Sequence, residues 1–211
     1  NGLPGAWRNA DQYTIGELGF GTGLNFCLTW RQWNSSATLP HARLNYLSFE
    51  QYPLSKRQIS RALSTWQDLA PYRDSLLDTY RGVNMKIKGF HRIILARDVT
   101  LTLIVGDAHY YLPKTQAYVD CWYLDGFAPR SNPELWNAAL LTELAELSTP
   151  HASFATFTAA SDVSRNLRAA GFDVEKFEGF GTKRESLRGQ LATRRNTATV
   201  DTSSLPRSAV V

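Results

Sequence analysis

Four carboxylates fall at the ends of predicted β-strands, where α/β proteins place much of their chemistry. They are Glu17, Glu50, Asp107 and Asp125. Ligands of an open α/β sheet bind at the carboxyl ends of its strands. Four acids on one edge repel one another unless the ligand brings positive charge or hydroxyl groups to meet them. The spacing therefore predicts a site for a cationic, hydroxyl-bearing ligand. Taken singly, Glu50 is equally compatible with an exposed strand end, and Asp107 with a helix cap.

A glycine-rich turn follows the first of these acids, with glycine at every second position (Gly19, Gly21 and Gly23). The dinucleotide-binding fingerprint requires a glycine where Leu24 stands, and Glu17 would repel a pyrophosphate. S-adenosylmethionine carries an ammonium and a sulfonium, and the turn resembles the first motif of Rossmann-like methyltransferases. A plain strand–turn–helix with glycines for packing is the alternative. The predicted cofactor-binding residues are Glu17, Gly19, Gly21, Gly23, Asn25, Glu50 and Asp107. We expect Glu50 on the ribose hydroxyls and Asp107 near the adenine amino group.

The predicted catalytic segment is Asp125-Gly126-Phe127-Ala128-Pro129, directly after an apolar strand. An acceptor amine must be neutral to attack a methyl group, yet a free alkylamine with a pKa of about 10 is mostly protonated at neutral pH. Asp125 and the carbonyls of the turn that contains Pro129 can accept the proton and stabilise the ammonium that forms. Phe127 can stack on a base or contact the developing positive charge. The alternative is a strand-exit turn in which Asp125 makes only local hydrogen bonds.

Positive charge is concentrated late in the chain. The formal net charge is +4, and residues 163–195 hold eight Lys or Arg and four Asp or Glu, which accounts for all of it. Such a region can bind a polyanion. The predicted nucleic-acid-binding residues are Arg165, Phe180, Lys183, Arg184 and Arg188. A solvated basic surface is the alternative.

Strand and helix patterns alternate along the chain. Strands are predicted at 13–18, 44–49, 90–95, 99–105, 119–124, 153–158, 172–177 and 186–192. Helices are predicted at 24–33, 53–66, 72–80, 132–147 and 162–170, with Asn132 capping the fourth and Pro133 as its first residue. This alternation predicts an α/β fold with a doubly wound, mostly parallel sheet. We expect the hairpin at Arg97-Asp98 and the final strand pair to be antiparallel.

The composition is that of a globular protein, with 43% hydrophobic and 20% charged residues among 211. The sequence shows no signal peptide and no apolar run of membrane-spanning length, so we expect a cytoplasmic protein without membrane contact. Cys27 and Cys121 are expected to be buried thiols, and the four histidines share no metal-ligand spacing, so no metal is predicted. We expect one domain at 1–195, lacking an upstream segment, and a disordered tail or linker at 196–211.

Together these stretches resemble the methyltransferase domain of the bifunctional tRNA wobble-uridine modification family MnmC. The most distinctive matches are Asp125-Gly126-Phe127-Ala128-Pro129, continuing to Asn132-Pro133 and Trp136, and Gly179-Phe180-Gly181 with Lys183-Arg184-Glu185. Further matches are Asn1-Gly2-Leu3-Pro4, the stretch 16–26, Ser48-Phe49-Glu50, Ala155-Thr156-Phe157-Thr158 and Ala170-Gly171-Phe172. The resemblance covers most of residues 1–192, whereas the glycine motif alone is shared by many methyltransferases.

The resemblance implies a Rossmann-like methyltransferase fold and S-adenosylmethionine-dependent methylation of the 5-aminomethyl group on uridine 34 of tRNA. It also implies an FAD-dependent oxidoreductase domain or protein acting before it, although no FAD site is predicted in this chain. Two alternatives stay open: a related enzyme that acts on a small-molecule amine, and a catalytically silent tRNA-binding module. A nucleotide-dependent oxidoreductase is disfavoured by Leu24.

Overall fold

The protein is described here from a computed structural model, which covers residues 2–36, 39–80, 84–125, 129, 132–178 and 185–192. The predicted tail at 196–211 lies outside these residues. The strands are β1 (Gln12–Leu18), β2 (Arg43–Glu50), β3 (Gly89–Ala96), β4 (Val99–Val105), β5 (Val119–Tyr123), β6 (Ser148–Thr156), β7 (Phe172–Glu178) and β8 (Glu185–Leu191). The α-helices are α1 (Leu24–Ser35), α2 (Lys56–Leu63), α3 (Ala70–Tyr80), α4 (Ala108–Tyr111), α5 (Ala138–Glu146) and α6 (Ser161–Ala169). Short 3-10 turns cover Gly5–Trp7, Gln67–Leu69, Leu112–Lys114 and Pro133–Trp136.

The strands form one eight-stranded sheet in the order β3-β4-β2-β1-β5-β6-β8-β7. The five central strands are parallel, whereas β3 runs antiparallel to β4, and β8 runs antiparallel to both β6 and β7. The predicted doubly wound sheet and both antiparallel pairs are thus confirmed. The chain moves outward from β1 in one direction to β2 and β4, and in the other to β5 and β6. The crevice between β1 and β5 is therefore the topological switch point, where such folds bind ligands.

Two apolar cores cover the two faces of the sheet. The first packs α1, α2 and α3 against residues such as Ile15 and Tyr46, and the second packs α5 and α6 against residues such as Trp122 and Phe154. Both cysteines are buried free thiols, as predicted. None of the helices in the described part of the chain is long and apolar enough to cross a lipid bilayer.

The predicted helix at 53–66 begins too early. Helix α2 starts at Lys56 because Ser55 and Gln58 form a capping box: Gln58 N–H donates to Ser55 Oγ, and Ser55 N–H donates to Gln58 Oε1. This exchange satisfies two backbone donors at the start of the helix. Pro53 therefore lies outside the helix.

The predicted helix at 132–147 is divided, and the expected capping role of Asn132 is wrong. Pro133 begins a 3-10 turn at Pro133–Trp136, and the Asn132 side chain makes no capping hydrogen bond there. The cap of α5 is instead Asn137, whose Oδ1 accepts from the Leu140 N–H at 2.8 Å. The division places the loop at 132–135 against the carboxyl ends of the strands.

Candidate active site at the switch point

A cavity of about 390 Å³ lies where the central parallel strands end. Its wall includes Gly19 and Gly21 after β1, Glu50 at the end of β2, Asp107 after β4 and Asp125 after β5. A larger cavity, of about 490 Å³, lies against the middle of β6, β7 and β8, away from the carboxyl ends of the central strands. We place the candidate active site in the first cavity, because only there do three of the predicted carboxylates and the glycine turn share one wall.

The glycine turn leaves its inner surface open. Gly21 adopts a left-handed conformation with φ of 53°, and a Cβ built there would have no heavy atom within 4 Å. An L side chain is strained at this φ and would project into the free space. The position therefore allows a ligand to approach the backbone closely. Gly23, in contrast, packs beneath Phe20 and Leu76 and does not face open space.

The Glu50 carboxylate is held between two backbone amides. Its Oε2 accepts from Gly21 N–H at 2.9 Å, and its Oε1 accepts from Tyr52 N–H at 2.8 Å. One carboxylate thereby ties the glycine turn to the end of β2. These bonds fix the carboxylate at the cavity wall, within reach of a ligand's hydroxyl groups.

Glu17 lies beneath the site rather than in its wall. Its side chain is completely buried and is absent from the described residues that line the cavity. It accepts from Ser48 Oγ at 2.8 Å and from Asn25 Nδ2 at 3.0 Å. Burial raises the pKa of the Glu17 carboxyl to about 8, although the hydrogen bonds from Asn25 and Ser48 act in the opposite direction. The neutral acid is therefore the main form near pH 7.

Asn25 joins the buried acid to the exposed one. Its Nδ2 lies 3.0 Å from Glu17 Oε1 and 2.9 Å from Asp125 Oδ2. A side-chain amide carries two N–H donors, so a single group can serve both carboxyls. The residues meet because β1 pairs in parallel with β5, with Glu17 opposite Tyr123, and Asp125 follows two residues later. Asn25 thus spans the switch point from the first turn of α1.

Asp107 caps the short helix α4 by accepting from His109 N–H at 2.9 Å. His109 in turn contacts the opposite wall, where its Nε2 lies 3.1 Å from the carbonyl oxygen of Glu134. Asp107, His109 and Glu134 all line the cavity. The α4 start and the loop at 132–135 therefore close one side of the site together.

Two of the predicted nucleic-acid-binding residues are described, and they lie apart. Arg165 on α6 pairs with Asp162. Arg188 on β8 pairs with Glu175 at 2.6 Å and lies over the Phe177 ring at 5.2 Å. Leu187 packs into the core that contains α6, so alternation along β8 directs Arg188 to the other face of the sheet. The structure thus does not join Arg165 and Arg188 into one surface.

The remaining predicted site residues are Phe127, Pro129, Phe180, Lys183 and Arg184. Pro129 is described as a partly buried turn residue. Phe127, Phe180, Lys183 and Arg184 lie outside the described residues. Sequence reasoning missed several polar residues at or beneath the cavity, among them Ser48, Tyr52, His109 and Glu134. A signal was available for the first three, since Ser48 and Tyr52 each stand two residues from Glu50 and His109 stands two residues from Asp107. No comparable signal marks Glu134.

The chain is similar to known methyltransferases. A family model described as S-adenosyl-L-methionine-dependent methyltransferase matches residues 70–192. The chain is similar to the tRNA 5-methylaminomethyl-2-thiouridine biosynthesis bifunctional protein MnmC of Ectopseudomonas mendocina (strain ymp), with 49% identity over 176 residues, 83% of this chain and 26% of that protein. The protein of the same name from Methylobacillus flagellatus is 43% identical over 194 residues, 90% of this chain and 29% of that protein. The chain thus spans between a quarter and a third of the length of these relatives.

Among solved structures, MNMC2 from Aquifex aeolicus superposes with a TM-score of 0.62 at 21% identity, covering 87% of this chain and 54% of that chain. This likeness concerns the fold, and the predicted Rossmann-like class is confirmed. The family model covers more than half of the chain, including β4, β5 and the acids that follow them. The chain therefore belongs to the S-adenosyl-L-methionine-dependent methyltransferase family.

Proposed function

We propose that this protein methylates the aminomethyl nitrogen of 5-aminomethyl-(2-thio)uridine at wobble position 34 of tRNA, in the cytoplasm. The observation that carries the proposal is the Asn25 bridge, which fixes Asp125 at the switch point beside the glycine turn. The names of the MnmC relatives supply the tRNA product. Those relatives are called bifunctional, which supports an FAD-dependent oxidoreductase domain or protein acting earlier on the same uridine.

The cavity fits S-adenosylmethionine. The open space over Gly21 admits a ligand against the backbone, and Glu50 faces it as a fixed acceptor for ribose hydroxyls. Asp107 lines the same wall, and its carboxylate would accept from the adenine amino group. Acidic groups suit this ligand because it is cationic, and it supplies an electrophilic methyl group when bound. Glu17 and Asn25 act from beneath, by holding Asp125.

Asp125 receives the acceptor amine. Its carboxylate would accept a hydrogen bond from the neutral amine, orient the nitrogen lone pair toward the methyl group and stabilise the ammonium that forms as the methyl–sulfur bond breaks. Asn25 restricts the rotation of this carboxylate through the 2.9 Å bond to Oδ2. Positioning of this kind lowers the barrier because the reacting groups meet already oriented. Phe127 would stack on the uracil ring, and carbonyls of the turn at Pro129 would face the ammonium.

The tRNA contacts proposed from the sequence are Phe180, Lys183 and Arg184, with Arg165 and Arg188 as further contacts that lie on different faces of the sheet. The positive charge of residues 163–195 supports this placement. Counterion release makes such binding weaken as salt rises. Lys183→Ala with Arg184→Ala is expected to flatten that dependence and to leave S-adenosylmethionine affinity unchanged.

The deciding experiment is methyl transfer from radiolabelled S-adenosylmethionine to tRNA that carries 5-aminomethyluridine. We expect label on that nucleoside, and none on tRNA with unmodified uridine at the same position. Transfer to a free alkylamine at a comparable rate without tRNA would support the small-molecule enzyme instead. Binding of tRNA without any binding of S-adenosylmethionine would identify a catalytically silent module.

A further inference from the structure

A group of exposed aromatic rings lies beside the candidate active site. Phe90 on β3 is 48% exposed and Tyr110 on α4 is 56% exposed. The rings of Phe90 and Tyr111 are 5.8 Å apart, and those of Tyr110 and Tyr111 are 4.9 Å apart. Large rings gathered on a surface mark an interaction site more often than a single exposed ring does.

The same surface is basic throughout. Residues 84–92 and 108–114 together contain four Lys or Arg and no Asp or Glu. Lys114 lies over the Tyr110 ring, with Nζ 3.7 Å from its centre. Lys86 and Lys88 are exposed, and they form no ion pair with any carboxylate in the part of the chain that the structure describes. In contrast, Lys176 and Arg188, in the region predicted to bind nucleic acid, are engaged with acidic partners.

Strand pairing brings this surface to the mouth of the cavity. Gly89 pairs with Val105 and Phe90 with Ile104, so the start of β3 lies at the carboxyl end of β4. The next residues after β4, Gly106 and Asp107, line the candidate active site. The surface and the site are therefore continuous, although one is basic and the other acidic.

We infer that this surface, formed by Lys86, Lys88, Phe90, Tyr110 and Lys114 and called here the β3–α4 surface, binds the single-stranded loop of the tRNA substrate next to the target uridine. The inference rests on the proposed function and extends it by naming a second RNA contact. Bases stack on Phe90 and Tyr110, while the lysines meet phosphates. Stacking on aromatic rings beside cations is how proteins hold single-stranded nucleic acid without reading its sequence.

RNA fits this surface better than a protein partner does. Protein interfaces are depleted of lysine at their centres, whereas here lysines flank the rings on both sides. A methyl acceptor within a loop must also be held out of its stack, and exposed rings at the mouth of the cavity offer its neighbours a replacement stacking surface. The β3–α4 surface and the contact proposed at Phe180, Lys183 and Arg184 would together orient the single-stranded loop of the tRNA over the cavity.

The test compares three double variants for binding of a fluorescein-labelled anticodon stem-loop RNA with wobble uridine, measured by anisotropy over a salt series. Lys86→Ala with Lys88→Ala removes two charges, and Phe90→Ala with Tyr110→Ala removes two rings. Arg8→Ala with Arg43→Ala is the matched control, because both arginines are exposed at the opposite end of the sheet. Thermal unfolding and S-adenosylmethionine titration check that each variant is folded. Phe90→Leu with Tyr110→Leu replaces the alanine pair if that pair unfolds.

We expect the lysine variant to lower the slope of log Kd against log salt by about 1.4, since each phosphate contact in a single strand contributes about 0.7. The ring variant should weaken binding roughly 5- to 100-fold per stacked base, with the slope unchanged. The control should match wild type.

If both surface variants bind RNA as the control does while wild type methylates tRNA, the inference is wrong and the proposed function stands. Wild type that neither binds S-adenosylmethionine nor transfers methyl groups would refute the proposed function instead. The inference would also be overturned if the surface variants bind RNA normally but are monomers where wild type is a dimer by sedimentation velocity. That result would identify the surface as a protein contact.

Discussion

The side-chain amide of Asn25 donates to the carboxylate of Asp125 across 2.9 Å, although the two residues stand 100 positions apart in the chain. The same nitrogen contacts the buried Glu17 at 3.0 Å. The buried acid at the end of β1 and the proposed catalytic acid are therefore connected through one residue in the first turn of α1. The orientation of Asp125 depends on this connection as well as on its own turn.

Replacing Asn25 by leucine removes both hydrogen bonds and keeps a similar volume. A hydrogen bond to a charged group contributes about 1.5–3 kcal/mol, so we expect a 10- to 150-fold slower single-turnover methyl transfer. S-adenosylmethionine affinity, measured by calorimetry, should change much less. Asn9→Leu, at an exposed turn, is the control. Equal rates for both variants would show that Asp125 is oriented without Asn25.

Replacing Glu17 by glutamine tests its buried, neutral state. The folded-state pKa of about 8 lies above the ordinary value of 4.5, so the folded protein retains this proton while the unfolded chain releases it as pH rises. The free energy of unfolding of wild type should therefore fall relative to that of Glu17→Gln between pH 5 and pH 8, and the difference should level off above pH 8.

The charged and titratable groups that face Glu17 are Asp125, Tyr46 and Tyr123, and burial raises the pKa of both tyrosines. We expect a change of at least about 1 kcal/mol in denaturant unfolding. A difference that is the same at pH 5 and pH 8 would show that Glu17 is charged in the folded protein.

Much of the fold could be predicted from local pattern. The apolar runs of β1, β2 and β5, each with an acid within two residues of its carboxyl end, predict both the sheet class and the edge that carries the site. The Asn25 bridge could not be predicted, since it depends on how β1 and β5 pair across the sheet. Asn132 and Asn137 are equally good N-caps by residue type, so the sequence alone does not distinguish which of them begins the helix. Only the 3-10 turn that begins at Pro133 separates them.

The β3–α4 surface escaped sequence reasoning for a similar reason. Its two segments are separated in the chain, and together they hold fewer Lys and Arg residues than 163–195 does. Antiparallel pairing of β3 with β4 brings Phe90 next to Tyr111. A count of charged residues along the sequence includes every cation, whether or not it has an acidic partner in the folded protein. The structure shows that Lys176 and Arg188 already have acidic partners.

Glu50→Ala should weaken S-adenosylmethionine binding. The change removes the proposed ribose acceptor and also releases the Gly21 and Tyr52 amides, which the carboxylate holds at 2.9 and 2.8 Å. We expect a loss of about 1–3 kcal/mol in calorimetric binding free energy. Glu146→Ala, on α5, serves as the control. Unchanged affinity in Glu50→Ala and in Gly21→Val would place the cofactor elsewhere.

Gly16→Ala should destabilise the protein through the sheet itself. A Cβ at Gly16 would lie 2.3 Å from Cζ3 of Trp122, a fully buried ring. The ring is anchored because its Nε1 donates to Ser148 Oγ at 2.8 Å. Overpacking of this kind costs about 1–3 kcal/mol, or roughly 2–10 °C in Tm. Gly5→Ala, where a Cβ meets nothing within 4 Å, should leave the Tm within about 2 °C of wild type. Equal Tm values for the two variants would mean that β1 and β5 pack less closely than described.

The central claim, that Asp125 carries the chemistry at the switch point, is tested most directly by single-turnover methyl transfer with Asp125→Asn. This substitution keeps the shape of the side chain and removes its charge. Positioned proton acceptance contributes about 10²- to 10⁴-fold, so we expect a rate loss of that size on tRNA bearing 5-aminomethyluridine. S-adenosylmethionine affinity and Tm should stay close to wild type. Transfer at the wild-type rate, or a defect confined to thermal stability, would contradict the account and leave Asp125 as a turn residue.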